Sequence, residues 1–177
     1  MAEENTIKEA NGDRRSIGNS NQLVPTITTQ LAFDDQFDLL FHKERTVAMR
    51  AADTIEKVTK NKPQFLRSHK NALVSLLLNA DNIELKWHLA LMIPRLNLTK
   101  TELKQCWERL KTWALDPNES RIVRVNAIQA LFDLLPKHNR LAPAELLLVI
   151  ETVSKENIPS VKARLKRLSN AIKELND

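Results

Sequence analysis

Four residues, Arg50, His88, Asn126 and Arg164, stand at a constant interval of 38 along the chain. The same interval links Asp53, Leu91, Gln129 and Arg167, and then Lys57, Arg95, Asp133 and Ala171. Guanidinium, ammonium, imidazole and amide groups donate hydrogen bonds to carboxylates, phosphates and carbonyls. Repeated at a fixed spacing, they suit a polar groove that takes a peptide or a nucleic-acid backbone. The excess of Arg, Lys, His, Asn and Gln favours an anionic ligand, and Asp53 and Asp133 oppose it. The plainer alternative is an ordinary solvated helix face. Trp87, next to His88, either packs between repeats or stands in the groove as a binding anchor. Trp107 falls on an apolar stripe and belongs to the core, whereas Trp113 is expected to be partly exposed.

Bond-making chemistry has little to build on. The histidines His42, His69, His88 and His138 do not pair at helical spacing, and no CxxC or HxxE spacing occurs. A metal site is therefore not expected, and neither is a cofactor. Cys106 lies on an apolar stripe and reads as a buried, inert thiol. A GxSxG nucleophile motif is absent, and Gly12 and Gly18 are too few and too far towards the N-terminus to form a phosphate loop.

The elements that carry these columns are helices. Val47, Ala51, Ile55 and Val58 have the spacing of one helix face. The stripe returns as Leu85, Leu89, Ile93 and Leu96, as Val123, Ala127, Leu131 and Leu134, and as Val161, Leu165, Ser169 and Ile172, where only Ser169 is polar. A period between 20 and 50 residues signals stacked repeats. Before each striped helix runs a second amphipathic stretch. Leu31, Phe33, Phe37, Leu40 and Phe41 form the first, and Phe65, Leu66, His69, Ala72, Leu73, Leu76 and Leu77 the second. Leu103, Cys106, Trp107, Leu110, Ala114 and Leu115 form the third, and Leu146, Leu147, Ile150 and Val153 the fourth. Pro63 and Pro143 suit helix starts, Thr99 and Glu102 fit a capping box, and Pro94 should kink or end its helix. Asp116-Pro117-Asn118-Glu119 reads as the cap and first turn of a helix over about 119–135.

Hairpins are thus expected at approximately 31–60, 63–96, 99–135 and 143–175. They form one all-α domain over 26–177, a right-handed α-α solenoid of about four hairpins. Residues 1–25 are polar and without apolar period, and read as a disordered N-terminal tail. The last helix is basic, with Lys162, Arg164, Lys166, Arg167 and Lys173. It is either a polar end cap or an anion-binding patch.

Composition agrees. With two glycines, no tyrosine and 42% hydrophobic residues in 177, the chain suits helices around a sizeable core. The single cysteine excludes an internal disulfide, no stretch is apolar enough to span a bilayer, and the chain reads as cytoplasmic (intracellular). A net charge of +5 permits an anionic partner without requiring one.

The segment Ile122-Val123-Arg124-Val125-Asn126-Ala127-Ile128-Gln129-Ala130-Leu131 resembles the second helix of a HEAT or armadillo-type repeat: an aliphatic–Arg pair, alanines three and six residues after the Arg, then Leu. The resemblance spans about 31–175 and implies a non-catalytic scaffold or adaptor that recognises a protein or peptide partner through its inner helices. The surface would include Arg50, Asp53, Lys57, Trp87, His88, Leu91, Arg95, Asn126, Gln129, Asp133, Arg164 and Arg167. The alternative is a nucleic-acid-binding repeat protein using the last helix and the concave basic residues. Some HEAT-like proteins are DNA glycosylases acting on alkylated bases, and Trp87, Asp53, Arg95 and Asp133 could be arranged as in those enzymes. No motif maps onto them residue by residue. Oligomeric state is not legible in the sequence.

Overall fold

The computed structural model of the chain describes residues 17–137 and 142–176. Among them every regular element is helical, and the helices form antiparallel pairs of the HEAT-like α-α solenoid type. They divide into two compact units, one ending at Phe65 and the other beginning at Leu66.

The first unit holds α1 (Ile17–Leu23), α2 (Gln30–Asp38) and α3 (Arg45–Asn61). Thr29 caps α2, its hydroxyl accepting from the Ala32 amide at 3.2 Å. Phe33, Phe37 and Leu40 are buried, and the Phe33 ring lies 5.4 Å from that of Phe65. Leu31 and Phe41, expected on the same stripe, instead face solvent at 72% and 59% exposure. The helix buries an arc centred on Phe33 and Phe37; Leu31 falls outside that arc, and Phe41 lies beyond the end of the helix, in a 3-10 turn over Leu39–Phe41. On α3 the stripe residues Ala51, Ile55 and Val58 are buried as expected.

Residues 17–25, expected to be part of a disordered tail, are ordered as α1 and the start of a 3-10 turn over Val24–Thr26. Polar contacts join α1 to α3. Ser20 is buried, and its hydroxyl donates to the Asp53 carboxylate. The Lys57 ammonium donates to Ser20 Oγ at 3.0 Å, Asn21 Oδ1 at 2.8 Å and Asp53 at 2.6 Å. Asp53 and Lys57, expected on an open inner face, are therefore engaged by α1. Ser20→Ala should cost about 1 kcal/mol, the usual net worth of one such hydrogen bond. Amide exchange at residues 20–23 should rise roughly fivefold, while exchange in the second unit stays the same. Unchanged exchange at residues 20–23 would mean that the polar contacts do not hold α1.

The second unit pairs α4 (Lys70–Asn79) with α5 (Ile83–Met92), α6 (Lys100–Leu115) with α7 (Arg121–Leu134), and α8 (Ala142–Lys155) with α9 (Pro159–Arg167) and α10 (Ser169–Asn176). Outer helices α4, α6 and α8 pack in succession, and so do inner helices α5, α7 and α9. Leu89, Ile93, Leu96, Val123, Ala127, Leu131, Leu134 and Val161 are buried. The Thr99–Glu102 capping box is formed, and α5 ends in a 3-10 turn around Pro94.

Several local features differ from expectation. Pro63 opens a 3-10 turn over Pro63–Leu66 ahead of α4. Asp116 ends α6 rather than capping α7: its carboxylate accepts from the Asn118 amide at 2.9 Å and its carbonyl from that of Glu119 at 3.2 Å. That tight turn delays α7 to Arg121. The last helix is broken at Leu168, directly before Ser169, the polar member of its stripe. Asn157, between α8 and α9, takes a left-handed φ of 60°, which a short polar side chain tolerates.

Candidate functional site

The inner helices of the second unit present a mixed apolar and basic face. Trp87 and Leu91 on α5 are half-buried, and the Trp87 ring lies 3.5 Å from that of His88. On α7, Ile122 is 47% exposed and Val125 is half-buried. A groove of about 520 Å³ runs between the N-terminal half of α7 and α9. Ile122, Val125 and Pro159 give it an apolar lining, and Arg121, Asn126, Ser160 and Arg164 supply its polar groups.

Arg164 is the best positioned of these. Its Nη1 donates to Gln129 Oε1 at 2.8 Å, and its Nη2 reaches Asn126 Oδ1 at 3.5 Å. Gln129 Nε2 in turn donates to Asp133 Oδ1 at 2.8 Å. Burial, together with the nearby Arg167, lowers the Arg164 pKa, while Asp133 acts in the other direction. The group stays a cation at any ordinary pH. The 38-residue spacing thus brings Asn126, Gln129, Asp133 and Arg164 into one hydrogen-bonded set.

Other expected site residues lie elsewhere. His88, read as pointing into the groove, is buried at 2% exposure. Asn126 is 7% exposed, reaching the groove only through its lining. Arg50, Leu91 and Arg95 are half-buried, and Asp133 and Arg167 are exposed. For a glycosylase-like arrangement, Asp53 is already bonded to Ser20 and Lys57 within the first unit. Trp113, expected to be partly exposed, is buried. Its ring lies 5.7 Å from the Lys86 ammonium and 5.4 Å from the Arg109 guanidinium. Trp107 is buried as expected and donates to Glu145 at 2.9 Å. Cys106 is buried, and desolvation pushes its thiol up to about 12, so it is not a nucleophile near neutral pH. His42 is exposed and accepts from the Glu44 amide at 3.1 Å, His69 is half-buried at the head of α4, and His138 lies outside the described residues. Among the described residues no group of three His, Cys, Asp or Glu side chains could hold a metal ion, and no helix is long and apolar enough to cross a membrane.

Sequence reasoning missed a ladder of ion pairs between hairpins. Lys86 on α5 meets Glu119, before α7, at 2.5 Å. One repeat later Arg124, 1% exposed on α7, grips both oxygens of Glu156, at 2.7 and 2.6 Å. Its Nε donates to the Ala114 carbonyl near the C-terminus of α6, where a cation also suits the helix dipole. On the outer helices Lys70 pairs with Glu102 at 2.9 Å. A readable signal exists: a cation one position after the column start, followed by an acid 32 or 33 residues later.

A family model described as a HEAT repeat domain matches residues 12–172. Comparison with curated proteins and with solved structures finds no match.

Proposed function

This chain belongs to the HEAT repeat domain family, and we propose that it is a non-catalytic binding module whose second unit recognises a protein partner through its inner-helix face. The observation that carries this reading is the α7–α9 groove. Its aliphatic wall is partly open to water, and a hydrogen-bonded guanidinium stands beside it. Covering apolar surface drives association, and a surface built on rigid helices loses little freedom when it binds. A nucleic-acid backbone would leave Ile122 uncovered and would bring phosphates towards Asp133. The second groove, of about 380 Å³ on the outer helices, is less suited, because Glu108 there is already paired with Lys111.

A photo-activated cross-linking residue in place of Val125 tests the proposal, with a second variant carrying it at exposed Lys104 on the outer face. In extracts of the source cells the inner-face variant should form a discrete protein adduct that Ile122→Asp abolishes, and the outer-face variant should not. Equal adducts from both positions, or adducts from Lys104 alone, would overturn the inner-face assignment.

A further inference from the structure

Resting on that inner-face reading, we propose that the groove between α7 and α9 selects a partner segment in which a carboxylate side chain lies close to an aliphatic or aromatic one, the carboxylate held by Arg164 and the apolar side chain by Ile122, Val125 and Pro159. Arg164 differs from the cations that tie one hairpin to the next in what it is bonded to. Lys70, Lys86 and Arg124 each meet a carboxylate. Arg164 hydrogen-bonds to two neutral amides, those of Gln129 and Asn126. An amide oxygen satisfies an N–H but supplies no counter-charge, so the half-buried guanidinium keeps a full positive charge facing the groove. The charge of Asp133 offsets part of it, but that carboxylate is bonded to Gln129 and not to the guanidinium.

The geometry of the group fits a carboxylate. A guanidinium offers five N–H donors in a planar fork, and the two amides occupy only part of it. The remaining donors suit a carboxylate, the usual bidentate partner of arginine. Because Gln129 and Asn126 already hold the fork, little further ordering is needed on binding. Arg121, exposed on the same groove, adds a second positive charge, so a basic segment would be repelled. The aliphatic lining supplies the non-polar half of the recognition, and the two halves together require a segment that is acidic and apolar at once.

A phage library of random dodecapeptides, panned on the full chain at physiological ionic strength, tests this. Enriched peptides are then resynthesised with a fluorescent label and titrated against wild type, Arg164→Gln and Ile122→Asp, each checked for folding by circular dichroism. Enriched peptides should carry Asp or Glu near Leu, Ile, Phe or Trp. Arg164→Gln should weaken them roughly tenfold and remove the preference for the acidic form over its Gln or Asn analogue. Ile122→Asp should abolish binding. Peptides that are lost in Ile122→Asp but show no acidic preference, or that tolerate Arg164→Gln, would overturn the proposal while leaving the inner-face reading intact. Peptides that bind Ile122→Asp as well as wild type would overturn both. So would a labelled DNA duplex that binds wild type at the same ionic strength and is lost in both variants.

Discussion

An aspartate at Ala127 should strongly destabilise the second unit. Ala127 is wholly buried at the centre of α7, on the stripe that packs between helices. A carboxylate there has no room to reach water, and Arg124, three residues before it, is already bonded to Glu156 and to the Ala114 carbonyl. The penalty is about 4 kcal/mol or more, within the exceptional range for single substitutions. Small domains hold only about 5–15 kcal/mol in total. The melting temperature should fall by about 8–16 °C at roughly 2–4 °C per kcal/mol, with the α7 amides losing their exchange protection. Ala127→Ser is the control, since its hydroxyl can bond back to the Val123 carbonyl and should cost about 1 kcal/mol. A melting temperature unchanged by Ala127→Asp would refute the register of the inner helix.

Removing Glu156 should be the second most damaging change, and more damaging than removing its partner. Glu156→Ala leaves the Arg124 guanidinium, 1% exposed, with the Ala114 carbonyl as its one remaining bonded group. Breaking a buried pair in this way costs about 3–5 kcal/mol. Arg124→Met leaves a carboxylate that is 27% exposed and can turn to water, so its cost should be nearer about 2 kcal/mol. Thermal melts of both variants, and of the Arg124→Met/Glu156→Leu double variant, decide the matter. The double variant should be closer to wild type than Glu156→Ala, and equal losses in both single variants would refute the asymmetry. The pair also predicts a pH response. Hydrogen bonds from Arg124, then its charge, hold the Glu156 carboxyl below the usual carboxylate range, against the opposing effect of burial. The stabilisation is complete above the unfolded carboxylate value of about 4.3 and disappears as pH falls through the lower folded value. Arg124→Met should flatten that part of the melting-temperature profile.

The helices and their repeat were legible because burial writes itself into the sequence as a period. Ala51, Ile55, Leu89, Ile93, Ala127 and Leu131 are all buried where the stripe places them. The width of the buried arc was not legible. An inner helix is covered both by its own outer helix and by the next inner helix, so α5 buries His88, Leu89 and Ala90 in succession. Positions three after the column start, His88 and Asn126, fall inside that wider arc. Trp113 is closed over by Arg109 of its own helix and by Lys86 of α5, and spacing along α6 alone does not reveal the second contact. The short helix α1 escaped notice for a different reason. Ser20 and Asn21 bond it to Asp53 and Lys57, and a search for apolar periods does not register polar contacts. Within the candidate site, Arg164, Gln129 and Asn126 were found by spacing, whereas Ile122, Val125 and Pro159 were not, because the stripe search followed only the column that faces the core.

The placement of the indole rings has an optical consequence. Trp87, Trp107 and Trp113 all belong to the second unit, and the first has phenylalanines but neither tryptophan nor tyrosine. Emission excited near the red edge of the absorption band therefore comes from the second unit alone, whereas far-ultraviolet ellipticity sums the helices of both. Recorded on one sample through a denaturant series, the two signals separate if the units melt independently and superimpose if they melt together. The wild-type chain thus carries its own reporter of whether its two units are coupled, with no label attached.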